Sequence, residues 1–579
     1  MSSPHPGMGA IPIEGGYAFR VWAPNADSVA VVGDFNDWDT GANPLESEGN
    51  GNWYGEIAGA RHGQEYKLYL TNGEAEFYRI DPRSQAVTNS VGNSILYDHS
   101  AFDWHGDEFA TPAQHQLVIY ETHIGSFVES TDGPADLTDL TGKLGYLKNL
   151  GVNAVELMPL MEFAGDYSWG YNPAHIFAVE SSYGGPDALK TFIREAHKNG
   201  IAVIIDVVYN HFGPSDLSLW QFDGWSENDK GGIYFYQDWR SATPWGDTRP
   251  DYGRQEVRDF IIDNARMWLR DYHADGLRLD MTPYMRAVDG FSGDIPDGWS
   301  LMHDIGEVVR YEFPGRLAIA EDLHNTPAVT SPEPGGGSMH AQWDSEFVHP
   351  VRAALIAADD AQRSIPSVAN AITHSYHHAF DRVIYTESHD EVANGSARVT
   401  TEVSADNPGG WDAQKRATLG AALVLTAPGM PMIFQGQEFL EDEWFRDTVP
   451  LHWDHAWAFR DITQMFRDLI SLRRNLYGDC PGLQGPDTDL VCADDESKVV
   501  AYTRSTPDGA AALVALNFSN QPVAHQVALD GGLWRVCFNS DARRYSQLFG
   551  DYFTPDLDAR EGSALIDLGP YSAVIYVRE

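Results

Sequence analysis

The chain has 579 residues, with 84 Asp and Glu against 39 Lys and Arg, for a net charge of -45. That charge argues against nucleic acid and anionic membrane surfaces as partners, and no run of about 18 apolar residues predicts a membrane span. Cys480, Cys492 and Cys537 are too few for a disulfide framework or a metal cluster. The N-terminal MSSPHPGMGA lacks the pattern of a secretory signal, so we expect a cytoplasmic protein.

Both ends of the chain predict β-structure. Residues 13–98 contain short β-rich runs such as YAFRVWAP and EYKLYL, separated by Gly, Asn and Asp. Residues 487–579 show the same pattern in runs such as AALVALNFS and SAVIYVRE. We predict an N-terminal β-sandwich over residues 1–105 and a C-terminal all-β domain, also a sandwich, over residues 481–579.

The segment between these ends alternates apolar, β-rich runs with helical patterns, as at residues 187–199 and 255–272. Alternation over roughly 350 residues is typical of parallel βα units. We therefore predict an α/β fold, a (β/α)8 TIM barrel with insertions, over residues 106–480.

A barrel of this kind carries its functional groups at the carboxyl ends of its strands. Seven apolar runs end in side chains that would lie at one rim, and six of them deliver polar groups: Glu121, His123, Asp206, Asn210, His211, Arg278, Asp280, Glu321, Asp322, His389, Asp390, Gln435 and Glu438. A single acid near a strand end is unremarkable in so acidic a chain, but the repetition across successive runs predicts an active site.

Arg278 and Asp280, in the run DGLRLDMT, lie two residues apart and so on one face of a strand. Burying both charges is favourable mainly when they pair. We expect Arg278 to favour the ionised form of Asp280. Glu321 follows the apolar run LAIA, so we expect partial desolvation to raise its pKa.

Paired carboxyl groups with different pKa values are typical of glycoside chemistry, in which one acts as carboxylate and the other as proton donor. The chain has no metal-spaced His/Cys cluster, no glycine-rich phosphate loop and no G-x-S-x-G motif. We expect neither a metal nor an organic cofactor.

Four motifs in order resemble the α-amylase superfamily, glycoside hydrolase family 13: DVVYNH at 206–211, GLRLDM at 276–281, AIAED at 318–322 and YTESHDEV at 385–392. The resemblance covers nearly the whole chain and implies a retaining, double-displacement mechanism on an α-glucan. By position it implies Asp280 as nucleophile, Glu321 as acid/base and Asp390 as a third, supporting carboxylate. It also implies that the sugar next to the cleaved bond contacts five residues: Tyr171, Asp206, His211, Arg278 and His389.

Within the family, two groups are resembled. The N-terminal VAVVGDFNDWD is similar to the carbohydrate-binding module, family 48, that precedes branching enzymes, and SHDEV and WRVCFNSDARRY also favour that group. DVVYNHFGP, TPWGD and AQWDSEF are closer to trehalohydrolases. Met281 departs from both groups, in which a small residue follows the nucleophile.

We therefore expect a monomeric 1,4-α-glucan branching transferase. A maltooligosyltrehalose trehalohydrolase or another α-1,4-glucan hydrolase is the alternative. A non-catalytic glucan-binding protein is disfavoured because Asp280, Glu321 and Asp390 are all present. The N-terminal module either binds glucan or only packs on the barrel.

Overall fold

The computed structural model describes residues 5–579. Residues 1–4, which belong to the predicted N-terminal domain and to the segment searched for a secretory signal, lie outside the described residues. Nine short strands follow: β1 Gly9–Ile13, β2 Gly16–Trp22, β3 Ser28–Gly33, β4 Glu46–Ser47, β5 Asn52–Ala58, β6 Glu65–Asn72, β7 Ala75–Arg79, β8 Ala86–Val87 and β9 Ser94–Ile95. They form one sheet in the order β1-β2-β5-β4 and a second in the order β3-β6-β9-β8, with β7 paired to β6.

The central region forms the barrel. Its strands, with one hairpin among them, are β10 Ile119–Thr122, β11 Ala154–Leu157, β12 Met161–Phe163, β13 Pro173–Val179, β14 Ala202–Val207, β15 Gly276–Leu279, β16 Leu317–Ala320, β17 Ala341–Trp343, β18 Arg382–Ile384 and β19 Met430–Phe434. The closed barrel runs β10-β11-β14-β15-β16-β17-β18-β19 and closes by pairing β19 with β10. All of its pairs are parallel, whereas β12 and β13 form a separate antiparallel hairpin. The (β/α)8 fold predicted from the sequence is confirmed.

Helices lie between and after the barrel strands: α1 Leu137–Thr141, α2 Leu144–Leu150, α3 Gly185–Lys198, α4 Gln255–Arg270, α5 Pro283–Arg286, α6 Pro296–Glu312, α7 Ser345–Ile356, α8 Ile365–Thr373, α9 Val399–Val403, α10 Trp411–Thr426, α11 Trp453–Ala458 and α12 Arg460–Arg473. Helix α3 shows why they form. Its buried Leu189, Phe192, Ile193 and Ala196 recur at the three- and four-residue spacing of one helix face. The two helices predicted at 187–199 and 255–272 coincide with α3 and α4.

Strand β17 is the barrel strand that the sequence pattern missed. Ala341–Trp343 is only three residues long, and it begins four residues after Gly337, the last of three consecutive glycines. Its pairing with Ile319 and Ala320 on one side and with Arg382 on the other fixes it in the barrel. A segment that short has no readable period.

The C-terminal region is all β: β20 Asp487–Asp494, β21 Val499–Ser505, β22 Ala511–Asn517, β23 Val523–Ala528, β24 Leu533–Asn539, β25 Leu557–Asp558, β26 Ser563–Leu568 and β27 Ser572–Arg578. A six-stranded sheet in the order β20-β21-β22-β27-β24-β25 packs with the β23-β26 pair. It joins the barrel through a fully buried ion pair of 2.6 Å between Lys415 Nζ on α10 and Asp541 Oδ1.

The N-terminal sandwich docks on the insertion between β14 and α4. Arg79 donates to the carbonyls of Phe222 and Gln221 at 3.0 and 2.7 Å. The side-chain amide of Asn25 donates to Asp223 at 2.9 Å. The module therefore packs on the barrel, whatever it binds. Within residues 5–579, no helix is both long and apolar enough to cross a membrane.

Candidate active site

The side chains expected at the active site lie at the carboxyl end of the barrel. Asp206 lies within β14, Arg278 within β15, and Asp280 directly follows β15. Glu321 follows β16 in the same way, and Asp390 lies in the segment after β18. His211 follows β14, His389 precedes Asp390, and Tyr171 lies two residues before β13. Because parallel strands end at one rim, residues far apart in the chain come together there.

Arg278 is the centre of the site and is completely buried. Its Nη1 lies 2.7 Å from Asp206 Oδ2 and 3.0 Å from Asp280 Oδ1, and its Nη2 lies 3.0 Å from Glu321 Oε2. The ring of Trp343 lies 4.4 Å from the guanidinium carbon and covers it. One cation therefore pairs with three buried carboxyl groups. The two-residue spacing on β15 predicted the pair with Asp280.

Asp280 is held by Arg278 and also by Asn210. The Asn210 amide donates to Asp280 Oδ2 at 2.7 Å and to its backbone oxygen at 2.9 Å. Burial nevertheless raises the pKa of Asp280 to about 6, against the opposing effect of Arg278 and with a further rise from Asp206. Arg278 favours the ionised form of Asp280, as expected, but desolvation of a fully enclosed carboxyl outweighs the effect of one shared cation.

Glu321 is buried beside Asp280. Burial raises the pKa of Glu321 to about 7, with added repulsion from Asp280 and Asp390 and an opposing effect of Arg278. The expected direction is confirmed. Its Oε2 accepts the Met281 backbone N–H at 2.8 Å, whereas its buried Oε1 has no hydrogen-bond partner among residues 5–579. One oxygen is thus fixed by the backbone, and the other makes no hydrogen bond within the described residues.

Met281 adopts a backbone conformation that the sequence did not indicate. Its φ of +38° places it in the left-handed region, which is uncommon for residues other than glycine. That turn ends β15 and directs the Met281 N–H toward Glu321. Such backbone strain concentrates at functional sites.

His389 lies on the other side of Arg278 and connects to Asp390. Its Nδ1 lies 2.5 Å from Glu121 Oε1, and its Nε2 lies 3.5 Å from Asp390 Oδ2. Burial lowers the pKa of His389, but Asp390 and Glu121 outweigh it and raise the pKa to about 10. His389 is therefore a cation at neutral pH. Asp390, with 47% of its side chain exposed, is the most accessible of the three expected catalytic carboxylates.

Two aromatic surfaces border these groups. Tyr171 donates its hydroxyl to Asp206 Oδ2 at 2.6 Å and stacks on the His389 ring at 5.1 Å. His211 stacks on Trp245 at 4.5 Å, and burial lowers the pKa of His211 to about 4, so the imidazole is neutral. Flat faces and fixed polar atoms at one rim suit a sugar ring.

Sequence reasoning did not assign three residues that shape the site. Glu121 ends the first barrel strand, and its carboxylate fixes His389 through both Nδ1 and the backbone N–H. Asn210 was placed at the rim without a role, and its amide holds Asp280. Trp343 ends the missed strand β17. Glu121 and Asn210 lie at the ends of apolar runs, and that position was the signal that could have pointed to them. Trp343 had no such signal, because its strand is only three residues long.

One further group among residues 5–579 has atoms spaced for a metal. Oxygen and nitrogen atoms of Glu441, Asp442 and His455 lie within 4.8 Å of one another. Glu441 Oε1 already accepts the backbone N–H groups of Asp442 and Glu443, each at 3.1 Å. The group makes no contact with Arg278 or its carboxylates.

A closed parallel barrel with three carboxyl groups gathered at its carboxyl rim, two of them with raised pKa values, defines an enzyme of glycosidic-bond chemistry. Family models match along the chain: carbohydrate-binding module 48 (isoamylase N-terminal domain) at residues 7–84, the alpha amylase catalytic domain at 119–251 and 214–469, and the alpha amylase C-terminal all-beta domain at 490–579. The catalytic model alone covers more than half of the chain. The protein therefore belongs to the α-amylase family.

Relatives agree over nearly the full length. A 1,4-alpha-glucan branching enzyme GlgB from Corynebacterium jeikeium is 30% identical, over 99% of this chain and 83% of its own. A 1,4-alpha-glucan branching enzyme GlgB 1 from Xanthomonas campestris is 33% identical, over 93% of this chain and 78% of its own. The crystal structure of a type I pullulanase from Bacillus subtilis, complexed with maltose, superposes with a TM-score of 0.78 at 23% identity, over 100% of this chain and 86% of its own. That likeness shows the shared fold.

Proposed function

We propose that the protein is a 1,4-α-glucan branching enzyme, which cleaves an α-1,4 linkage and transfers the released chain to a 6-hydroxyl of a glucan. The observation that carries the proposal is the full-length similarity to branching enzymes, at about 30% identity over 99% of this chain. The rim supplies the groups that such a transfer needs. A cytoplasmic location and a monomeric state stay predictions from the sequence.

In the first step, an Asp280 carboxylate oxygen attacks the anomeric carbon and the C1–O4 bond breaks. Glu321 gives its proton to the departing O4. A pKa of about 7 keeps Glu321 largely protonated below neutrality, as an acid requires, and its unpartnered Oε1 is the oxygen available for the transfer. A pKa of about 6 leaves Asp280 ionised at the same pH.

In the second step, Glu321 removes the proton from a glucan 6-hydroxyl. The acceptor O6 attacks C1, and the bond between C1 and Asp280 breaks. The anomeric configuration is inverted twice and so retained. Arg278 stays paired to Asp280 and Glu321 through both steps. The negative charge lies on Asp280 before the first step and on Glu321 after it, and in both states it lies beside the same cation.

We assign Asp390 to support of the charged, distorted sugar, because it is a partly exposed carboxylate beside cationic His389. We assign Tyr171 as the platform beneath the sugar next to the cleaved bond. Its ring is fixed by Asp206 and His389. Asp206, His211 and Arg278 complete the contacts around that sugar.

Incubation with amylose tests the proposal. Proton NMR of the products is expected to show new α-1,6 linkages with few new reducing ends. Reducing ends without α-1,6 linkages would show that water is the acceptor. The protein would then be a hydrolase and not a branching enzyme. Release of trehalose from maltooligosyl trehalose would instead show a trehalohydrolase. The Asp280→Ala variant, which removes the nucleophile, is the matched control for every product.

A further inference from the structure

A groove of about 510 Å³ lies at the junction of the barrel with the C-terminal domain. The ends of helices α2 and α12 and the strand β24 border it. Its volume is within the range of about 300–1,000 Å³ that is typical of sites for small ligands. None of the residues assigned to catalysis lines it.

The groove lies at the opposite end of the barrel from the catalytic carboxylates. Helix α2 ends at Leu150, three residues before strand β11 begins, so its last turn lies at the amino ends of the strands. At the end of α12, Arg473 donates to the carbonyls of Ala427 and Gly429, which directly precede β19. Arg474 then donates to the carbonyl of Gly151 at 2.7 Å, which ties the two helix ends together.

The lining offers both donors and acceptors. Lys148, Gln464 and Arg467 supply N–H groups, and Asp468 and Asp479 supply carboxylates. The buried Nε of Arg467 has no hydrogen-bond partner among residues 5–579. Asp468 is fixed by the Tyr545 hydroxyl at 2.6 Å. A sugar hydroxyl both donates and accepts, so a polyol satisfies such a mixed lining.

An exposed aromatic ring stands at the edge of the groove. Tyr477 is 81% exposed, and its neighbour Leu476 is 47% exposed. An aromatic face attracts the polarised C–H groups on the flat side of a pyranose ring. The charges at the groove are mixed, because Lys148, Arg467 and Arg544 lie beside Asp468 and Asp479. A neutral polyol matches that mixture, and the net charge of -45 on the whole chain disfavours an anion.

We propose that this groove is a second glucan-binding site, which holds an α-glucan chain on Tyr477 and on the polar groups of α2 and α12, remote from the catalytic rim. The ligand class, an α-glucan, rests on the proposed function. Binding at the groove does not depend on whether water or a sugar hydroxyl completes the reaction at the catalytic rim. A polymer held at two places leaves the enzyme more slowly than one held only at the catalytic rim, because the second contact forms at high effective concentration.

Native gel electrophoresis in glycogen-containing gels tests the site without turnover. All proteins carry Asp280→Ala, so that the glycogen is not altered. Tyr477→Ala is expected to raise the apparent Kd for glycogen by about fivefold or more, the effect of losing one stacking contact. Tyr477→Ala with Asp479→Asn is expected to raise it further. Tyr311→Ala, which removes another tyrosine that is 73% exposed, is the matched control and is expected to leave the mobility unchanged.

Equal retardation of the Tyr477→Ala protein and its parent would overturn the proposal. So would a rise in Tm with inorganic phosphate that Tyr477→Ala removes while glycogen retention stays the same, because the groove would then be an anion site. The retention assay is independent of transfer. A protein that forms no α-1,6 linkages but is retained through Tyr477 would refute the branching activity and leave this site standing.

Discussion

Arg278 and Asp280 are in contact at 3.0 Å, yet the pKa of Asp280 lies above the ordinary value for an aspartate, at about 6. The same cation also pairs with Asp206 and Glu321. Desolvation and the neighbouring carboxyl groups raise the pKa of Asp280 by more than the shared guanidinium lowers it. The pair therefore positions the proposed nucleophile, and Arg278 holds the pKa of Asp280 low enough for ionisation near neutral pH.

The activity is expected to follow a narrow, bell-shaped pH profile. Asp280 must be ionised, so kcat/KM rises as the pH rises through about 6, and Glu321 must be protonated, so it falls as the pH rises through about 7. Because the two groups interact, the two limbs of the profile report apparent pKa values of the pair and not of either residue alone. Initial rates on amylose across the pH range measure both limbs. A plateau that extends unchanged above about pH 8 would contradict the role of Glu321 as acid.

Replacement of the nucleophile is expected to abolish activity with little loss of stability. Asp280→Ala removes the attacking oxygen, and kcat falls by about 10³-fold or more. The fold survives because Arg278 keeps Asp206 and Glu321 as partners. Branching assays and thermal melts measure the two effects. The control is Asp132→Asn, an exposed aspartate, and an Asp280→Ala protein with near wild-type turnover would contradict the mechanism.

Removal of the Asn210 amide is expected to raise the pKa of Asp280 further. Asn210 donates to the carboxylate at 2.7 Å, and a hydrogen bond to the charged form favours that form. In Asn210→Ala the acidic limb of the pH profile therefore moves to higher pH, and kcat falls by about tenfold or more. Asn50→Ala, in an exposed turn of the N-terminal domain, is the control. An unshifted acidic limb would show that Asn210 acts only in packing.

The buried pair at the domain junction is expected to be sensitive to the loss of one partner. Lys415→Met leaves Asp541 buried without its cation, although backbone N–H groups of Gly550 and Tyr552 still donate to it. The free energy of unfolding is expected to fall by about 3–5 kcal/mol. Lys198→Met, which breaks an exposed pair with Glu195, is the matched control and should cost about 0–1 kcal/mol. Denaturant unfolding measures both changes, and equal losses would contradict the prediction.

Salt is expected to stabilise the folded protein. A net charge of -45 creates repulsion across the surface, and added ions screen it. The Tm is therefore expected to rise with NaCl concentration up to about 1 M, where the screening length is about 3 Å. Melting curves in a salt series measure this, and a Tm that stays flat or falls would contradict the view that repulsion between surface charges destabilises the folded protein.

Local patterns in the sequence predicted seven of the eight barrel strands and the polar groups that follow them. Alternating runs predicted the barrel, and polar residues at the ends of those runs predicted one rim, because parallel strands end at the same edge. Period-two spacing placed Arg278 beside Asp280. These are local properties of the chain, so they are readable from neighbouring residues.

Contacts between residues that are distant in the chain are visible only in the tertiary structure. Asn210 holds Asp280 across 70 positions, and Glu121 holds His389 across 268. Strand β17 exists because β16 and β18 pair with it, and Trp343 reaches Arg278 only as a result. The net pKa of Asp280 also belongs to the fold, because desolvation sums over every group that encloses a carboxyl, whereas a sequence motif shows only the neighbours along one strand.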